Sequence, residues 1–131
     1  MTERTYTISE MCADFGVTPR TLRYYEYIEL LAPRREGTRR IYSQRDRARL
    51  KLILRGRRFG FSLESIRRWL KLYDEGDQIR QAEVWIEGAT RRIAELERER
   101  REIAERIAEL TQLRDEGIQW LAEMRGEKGA A

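Results

Sequence analysis

The stretch Thr18-Pro-Arg-Thr-Leu-Arg-Tyr-Tyr-Glu26 decides how the chain folds. Thr18 offers a hydroxyl to free backbone N–H groups, and Pro19 follows at the first helical position, where a missing N–H is no loss. At about 100° per residue, Arg20, Arg23, Tyr24 and Tyr27 fall on one face of this helix, and Leu22 and Tyr25 fall roughly opposite. One face packs on a core while the other shows two guanidinium groups and two phenols. Such groups suit phosphates and base edges. From this segment alone, a solvated charged face is an equal reading.

Upstream, Thr7-Ile-Ser-Glu10 is a capping-box pattern. Ile8, Met11, Cys12 and Phe15 then recur at helical spacing and Gly16 stops the run, so a first helix and a tight turn precede Thr18. Two short helices across such a turn form a helix-turn-helix outline. Cys12 lies in the apolar stripe and reads as a small core residue.

Downstream, Pro33 ends the second helix by Ala32. Arg34-Arg-Glu-Gly-Thr-Arg-Arg-Ile-Tyr42 follows, with a turn at Gly37-Thr38 and arginines 34, 35, 39 and 40 around the tip of a small hairpin. These charges read either as solubilising or as a second arm on the same phosphate backbone. Ser43 and Asp46 open a third helix carrying Leu50, Ile53, Leu54 and Arg57 on one side. Gly60 breaks it, and Ser62 caps a fourth helix with Ile66, Trp69, Leu70 and Tyr73 at core spacing.

Beyond Asp74-Glu-Gly-Asp77 the pattern changes. Ile79, Ile86, Ile93 and Ile107 lie on a seven-residue repeat, and Ala82, Ala89, Leu96, Ile103 and Leu110 occupy the positions three further on. This is the a/d seam of a coiled coil, interrupted by Arg100 and Arg114 at a-positions. Its apolar stripe calls for another copy, so a homodimer is expected, with parallel and antiparallel pairing both open at this point. Gly117 is expected to end the regular seam. Ile118, Trp120, Leu121 and Met124 follow, as a final turn docking on the partner subunit or as part of a small-molecule pocket. Trp85, Trp120 and Met124 fit a small apolar pocket and plain helix packing equally well. The division implied is residues 1–74 as a head, 75–116 as a dimerisation helix and 117–131 as a short, partly flexible terminal segment.

The charge is uneven. The 131 residues carry a net +4, but through Tyr73 there are 17 Lys+Arg against 8 Asp+Glu, a net +9, and from Asp74 onward 10 against 15, a net −5. A basic head with an acidic-leaning second part suits a polyanionic partner for the first. Nearly all the cations are arginine, Lys51, Lys71 and Lys128 excepted, which favours bidentate phosphate recognition. No apolar run is long enough to span a membrane as a helix, and no signal-peptide pattern opens the chain, so a cytoplasmic protein is expected. With no histidine and one cysteine, disulfide frameworks, imidazole catalysis and most transition-metal sites are excluded. There is no glycine-rich phosphate loop and no evident pair of catalytic carboxylates, so an enzyme is the weakest reading and no cofactor is implied.

Four motifs in order, Thr18 to Glu26, Leu30-Leu31, Gly37-Thr-Arg-Arg-Ile-Tyr42 and Phe59-Gly-Phe-Ser-Leu-Glu-Ser-Ile66, resemble the MerR family of bacterial transcription regulators. The resemblance covers about residues 6–73, and the long helix is similar to the family's dimerisation helix. It implies a mainly α protein: a winged helix-turn-helix head followed by a long helix that forms an antiparallel coiled-coil dimer. It also implies a palindromic operator inside a promoter with an overlong spacer, DNA distorted for use by RNA polymerase, and a possible small-molecule effector. Carried over by position, the helix from Thr18 would lie in the major groove, with Thr18 and Thr21 at its start among the DNA-binding residues. Arg20, Arg23 and Tyr24 would face DNA, and Tyr25 would reach a phosphate. Arg34, Arg39, Arg40 and Tyr42 would serve the first wing, and Ser62 the second. One departure is Glu29, where the family usually has glycine. The cysteines of the family's metal sensors have no counterpart on the long helix, so metal sensing does not carry over. Two further readings stand beside a regulator: an architectural or excisionase-like DNA binder, and a coiled-coil adaptor whose basic head meets an acidic protein.

Overall fold

The computed structural model describes residues 3–130. Its elements in order are α1 (Ile8–Phe15), α2 (Pro19–Tyr27), β1 (Arg34–Glu36), β2 (Arg39–Ile41), α3 (Gln44–Arg58), α4 (Leu63–Glu75) and α5 (Gln78–Ala130). The protein is mainly helical, with a two-stranded antiparallel wing in which Arg34 faces Ile41, Arg35 faces Arg40 and Glu36 faces Arg39. Two compact units divide it, one through Glu87 and one from Gly88.

Helix starts in the head follow local side-chain chemistry. Thr7 and Glu10 close a full capping box on α1, and Ser43 and Asp46 close another on α3. Thr18 accepts the Thr21 N–H at 3.2 Å, and Ser62 accepts the Ser65 N–H at 3.1 Å. Each bond satisfies an amide that a helix start leaves open. Gly16 ends α1 in the left-handed region at φ +66°, a conformation a side chain would disfavour.

These helices enclose one core built on Met11, Leu22, Leu30, Leu31, Leu50, Ile53, Ile66 and Leu70. The chain before α1 joins it too: Tyr6 and Tyr42 exchange both backbone hydrogen bonds at 2.8 Å, pinning the N-terminal segment to the end of the wing. Gly56, inside α3, is buried because α4 crosses it closely. A Cβ there would lie 2.8 Å from Cγ1 of Ile66 and 3.3 Å from the Trp69 ring. Val84 and Trp85, on the first turns of α5, pack against the same core, so the first unit extends past the sequence-based boundary at Asp74.

The second unit is the remainder of α5. The helix does not stop at Gly117, contrary to the expectation for the seam. A glycine costs an exposed helix interior about 1 kcal/mol relative to alanine, too little to break a run with good helix formers on both sides. Unbroken helix carries the heptad register onward, so Leu121 falls at the next a-position and Met124 at the next d-position. Ala131 lies outside the described residues.

The end of α2 shows the effect of Glu29. Leu30 N–H bonds the Tyr25 carbonyl at 2.8 Å and Glu29 N–H bonds the Glu26 carbonyl at 3.0 Å, the paired bonds of a Schellman turn. Its left-handed position is held by Glu29 at φ +64°, the one non-glycine residue with positive φ among the described residues. The turn expected of a glycine is therefore kept despite a Cβ. Leu30 and Leu31, almost wholly buried on its far side, hold it in place. Glu29→Gly is expected to raise stability by about 1 kcal/mol, the usual left-handed penalty less the added freedom of the unfolded chain. Urea unfolding at fixed protein concentration checks this, and an unchanged or lowered midpoint contradicts it.

Candidate nucleic-acid interface

Helix α2 has the two faces its spacing predicts. Leu22 is fully buried and Tyr25 is 7% exposed, whereas Arg20, Arg23, Tyr24 and Tyr27 are on the surface, Tyr27 at 84%. Among the described residues, neither Arg20 nor Arg23 has a carboxylate partner, while Glu26 on the same helix has two arginines. The guanidinium groups on the outer face are open to an incoming anion.

The wing is fastened to α2 through Glu26. One carboxylate oxygen accepts from Arg35 at 2.7 Å and the other from Arg40 at 2.6 Å. Burial alone would raise the Glu26 carboxyl, but the hydrogen bonds and charges of Arg40 and Arg35 outweigh it and hold it below its ordinary value. Arg34 pairs with Glu36 on the exposed edge, a contact of little energetic weight. Arg39, at the tip, is exposed with no carboxylate partner among the described residues.

Two wing assignments made from sequence change here. Tyr42 is fully buried, its ring in the core and its hydroxyl without a hydrogen-bond partner among the described residues. Burial and the Glu26 charge push its pKa to about 12. It follows β2 in extended backbone, where alternate side chains point to opposite faces, and its hydrogen bonds to Tyr6 turn it inward. With its side chain wholly buried, Tyr42 belongs to the core and not to the wing's surface. Arg40 is held by Glu26 and positions the wing instead of facing outward. Tyr25 is core over most of its ring. Its pKa is raised by burial, against the Arg57 charge, and only one edge reaches a surface recess.

That recess, of about 380 Å³, is lined by Arg20, Thr21, Tyr24, Tyr25, Arg57 and Leu63. It brings the end of α3 beside the exposed face of α2. By spacing Arg57 falls on the apolar side of α3, but its guanidinium donates to the Phe61 carbonyl at 3.0 Å, at the edge of the recess. The Arg55-Gly-Arg-Arg58 run was the available signal. Ser62 keeps its cap and adds a 3.1 Å bond to the Ser65 hydroxyl, and Thr18 bonds the Thr21 hydroxyl at 3.0 Å. Both side chains are exposed and engaged locally. Cys12 is half-buried, and burial pushes its thiol up against the lowering effect of Arg23, consistent with a packing role.

A second tether lies behind the site. Asp74, at the end of α4, accepts from Arg45 at 2.5 Å and from Arg49 at 2.9 Å, while Arg49 also donates to the Leu30 carbonyl at 3.0 Å. Arg67 on α4 donates to the Ile28 carbonyl. The turn after α2 is thereby fixed from both α3 and α4.

The comparisons with known proteins fit this arrangement. Residues 6–72 match the family model described as MerR HTH family regulatory protein, and residues 47–116 match one described as MerR, DNA binding. The regulator ZntR of Escherichia coli is 45% identical over 69 residues, covering 51% of this chain and 49% of ZntR, so the chain spans about half the length of that relative. HmrR of Rhizobium leguminosarum is 36% identical over 99 residues, covering 75% of each. Among solved structures, HiNmlR, a MerR family regulator lacking the sensor domain and bound to promoter DNA, superposes with a TM-score of 0.59 at 29% identity, over 72% of this chain and 77% of that one.

The tethers make acid stability predictable. Glu26 and Asp74 are both held below their ordinary values of 4.5 and 3.8; for Asp74, burial acts upward but the Arg45 and Arg49 bonds outweigh it. A depressed folded-state carboxyl stabilises above its unfolded value and loses that contribution as pH falls through the folded one. Stability should therefore decline as pH drops below about 4.5. Glu26→Gln and Asp74→Asn should each be less stable at neutral pH and show a shallower acid decline. Denaturation midpoints measured from pH 7 to 3 test this; parallel curves for wild type and variants would contradict it.

Proposed function

The chain belongs to the MerR family of helix-turn-helix regulatory proteins, and on that premise we propose that it is a dimeric, sequence-specific regulator of transcription. Its two heads would bind a palindromic operator inside a promoter, distorting the DNA for RNA polymerase. The observation that carries this reading is the outer face of α2, where Arg20 and Arg23 stand without carboxylate partners beside Tyr24 and Tyr27. Arg20 and Arg23 are the base-reading candidates, with Tyr24 and Tyr27 along the same groove. Arg39 at the wing tip and Arg57 beside the recess supply phosphate contacts. Thr18 and Ser62 orient the helix starts. Arg40 and Tyr42 support the wing from within. Such contacts make affinity steeply salt-dependent, each phosphate neutralised adding roughly one to the slope.

Dimerisation would use the seam of α5. Ile79, Ile86, Ile93, Leu96, Ile103, Ile107 and Leu110 are all exposed in the single chain, Ile79 at 75%. A helix this long with a continuous uncovered apolar stripe needs a partner. The interrupting arginines favour the antiparallel arrangement. A parallel pair sets Arg100 against Arg100 and Arg114 against Arg114 within the seam. An antiparallel pair can set Ile79 against Leu110 of the partner subunit and Ile93 against Leu96 of the partner subunit, which leaves Arg100 opposite a small residue, Ala89.

Two experiments test the reading. Arg23→Ala should weaken operator binding by about 1–3 kcal/mol and relax base preference at one position per half-site. A gel-shift titration with unchanged affinity and preference would remove Arg23 from the site. Footprints lying between the two promoter elements support the regulator; footprints elsewhere favour the architectural alternative. For the seam, Ile93→Asp should yield monomer in sedimentation at micromolar concentration, and an unchanged mass would exclude this dimer.

A further inference from the structure

Charges flanking the seam of α5 are sparse enough to be read singly. Between Ile79 and Leu110 the g-positions are Trp85, Arg92, Glu99 and Arg106, and the e-positions are Glu83, Thr90, Glu97 and Ala104. In an antiparallel pair g faces g and e faces e. With Ile93 opposite Leu96 of the partner subunit, Arg92 faces the partner's Glu99, and Glu99 faces the partner's Arg92. Trp85 then faces the partner's Arg106, Thr90 the partner's Glu97 and Glu83 the partner's Ala104. Arg92 and Glu99 are thus the one oppositely charged pair on these flanks, and the twofold axis uses it twice.

Both side chains already lie along one flank in the single chain. Arg92 donates to Glu95 at 3.0 Å and to Glu99 at 3.3 Å. The Arg92 side chain is 20% exposed, laid down along the helix, while Glu99 is 52% exposed. A guanidinium has donors enough to keep Glu95 and take a carboxylate from another chain as well.

Sliding the two helices shows what the pair does. A slip of one heptad in either direction still sets a-positions opposite d-positions, so the apolar seam alone discriminates weakly. The charges discriminate. One slip sets Arg92 against the partner's Arg106 and Glu99 against the partner's Glu99; the other sets Arg92 against the partner's Arg92. Each slip also translates one helix along the other by about 10 Å.

We propose that Arg92 and Glu99 are the self-recognition code of α5. They select a second copy of this chain in the Ile93–Leu96 register, over slipped pairs and over long helices without the complementary charges. The inference rests on the antiparallel dimer proposed above. Because half-site spacing follows dimer geometry, the same two residues hold the spacing that the paired heads can read.

Cross-complementation tests this. Arg92→Glu carries only acidic side chains at the two positions and Glu99→Arg only basic ones. Each alone brings like charges together, and the two mixed bring opposite charges together. Each homodimer should dissociate about tenfold more readily than wild type at low salt, two attractive contacts having become repulsive. In an equimolar mixture, native mass spectrometry should show the mixed dimer in excess over both homodimers, with a dissociation constant within about threefold of wild type. High salt should level these differences. Contacts inside one chain cannot produce the rescue, because neither variant holds opposite charges at positions 92 and 99. Variant homodimers as strong as wild type, or a mixture in statistical proportions, would overturn the code and leave the antiparallel dimer standing. Rescue of Arg92→Glu by Glu97→Arg instead would mean parallel helices, in which g faces e, and would overturn both. A monomeric wild type would also remove both.

Discussion

The Glu26 carboxylate is the contact on which the interface depends. It sits on the helix that presents Arg20 and Arg23, yet it reaches across to Arg35 and Arg40 on both strands of the wing. A two-stranded ribbon is marginal by itself. Held by two charge-assisted hydrogen bonds on one side and by the Tyr6–Tyr42 bridge on the other, it becomes part of the head. Arg40 is thereby a structural cation, and Arg39 at the tip, without a carboxylate partner among the described residues, is left in a defined place.

The same arrangement recurs behind α2. Arg49 links Asp74 to the Leu30 carbonyl, and Arg67 takes the Ile28 carbonyl, so the strained turn at Glu29 is surrounded by fixed groups. Strain at one backbone position persists where its surroundings over-determine it. Here they are two buried leucines and two arginines. Helix α2 thus ends in a rigid stop from which the wing departs.

Along α5 the governing constraint is exposure. The helix begins inside the head, where Val84 and Trp85 pack on the core, and continues as an amphipathic rod whose apolar side chains face outward in the single chain. An isolated helix gains little from propensity alone, which is why the dimer proposed above assigns this stripe to a second copy.

The sequence by itself determined the elements and their order. Caps at Thr7, Thr18, Ser43 and Ser62, stops at Gly16 and Gly60, and the heptads after Gln78 are local patterns, written within a turn or two of where they act. It also determined which face of α2 is outward, because a 3.6-residue period needs no tertiary information. The tertiary structure decided which of the arginines and tyrosines are free. Arg39 and Arg40 are adjacent in the chain and alike in chemistry, but only Arg40 meets Glu26, fourteen residues away. Tyr24 and Tyr25 differ by one helical step, which the period foretold, whereas Tyr42 is turned inward by Tyr6, thirty-six residues upstream in the chain. Gly56 looked like any helix glycine until α4 was seen to cross it. Partners distant in sequence consume or release a side chain's charge, and a local pattern contains no record of them.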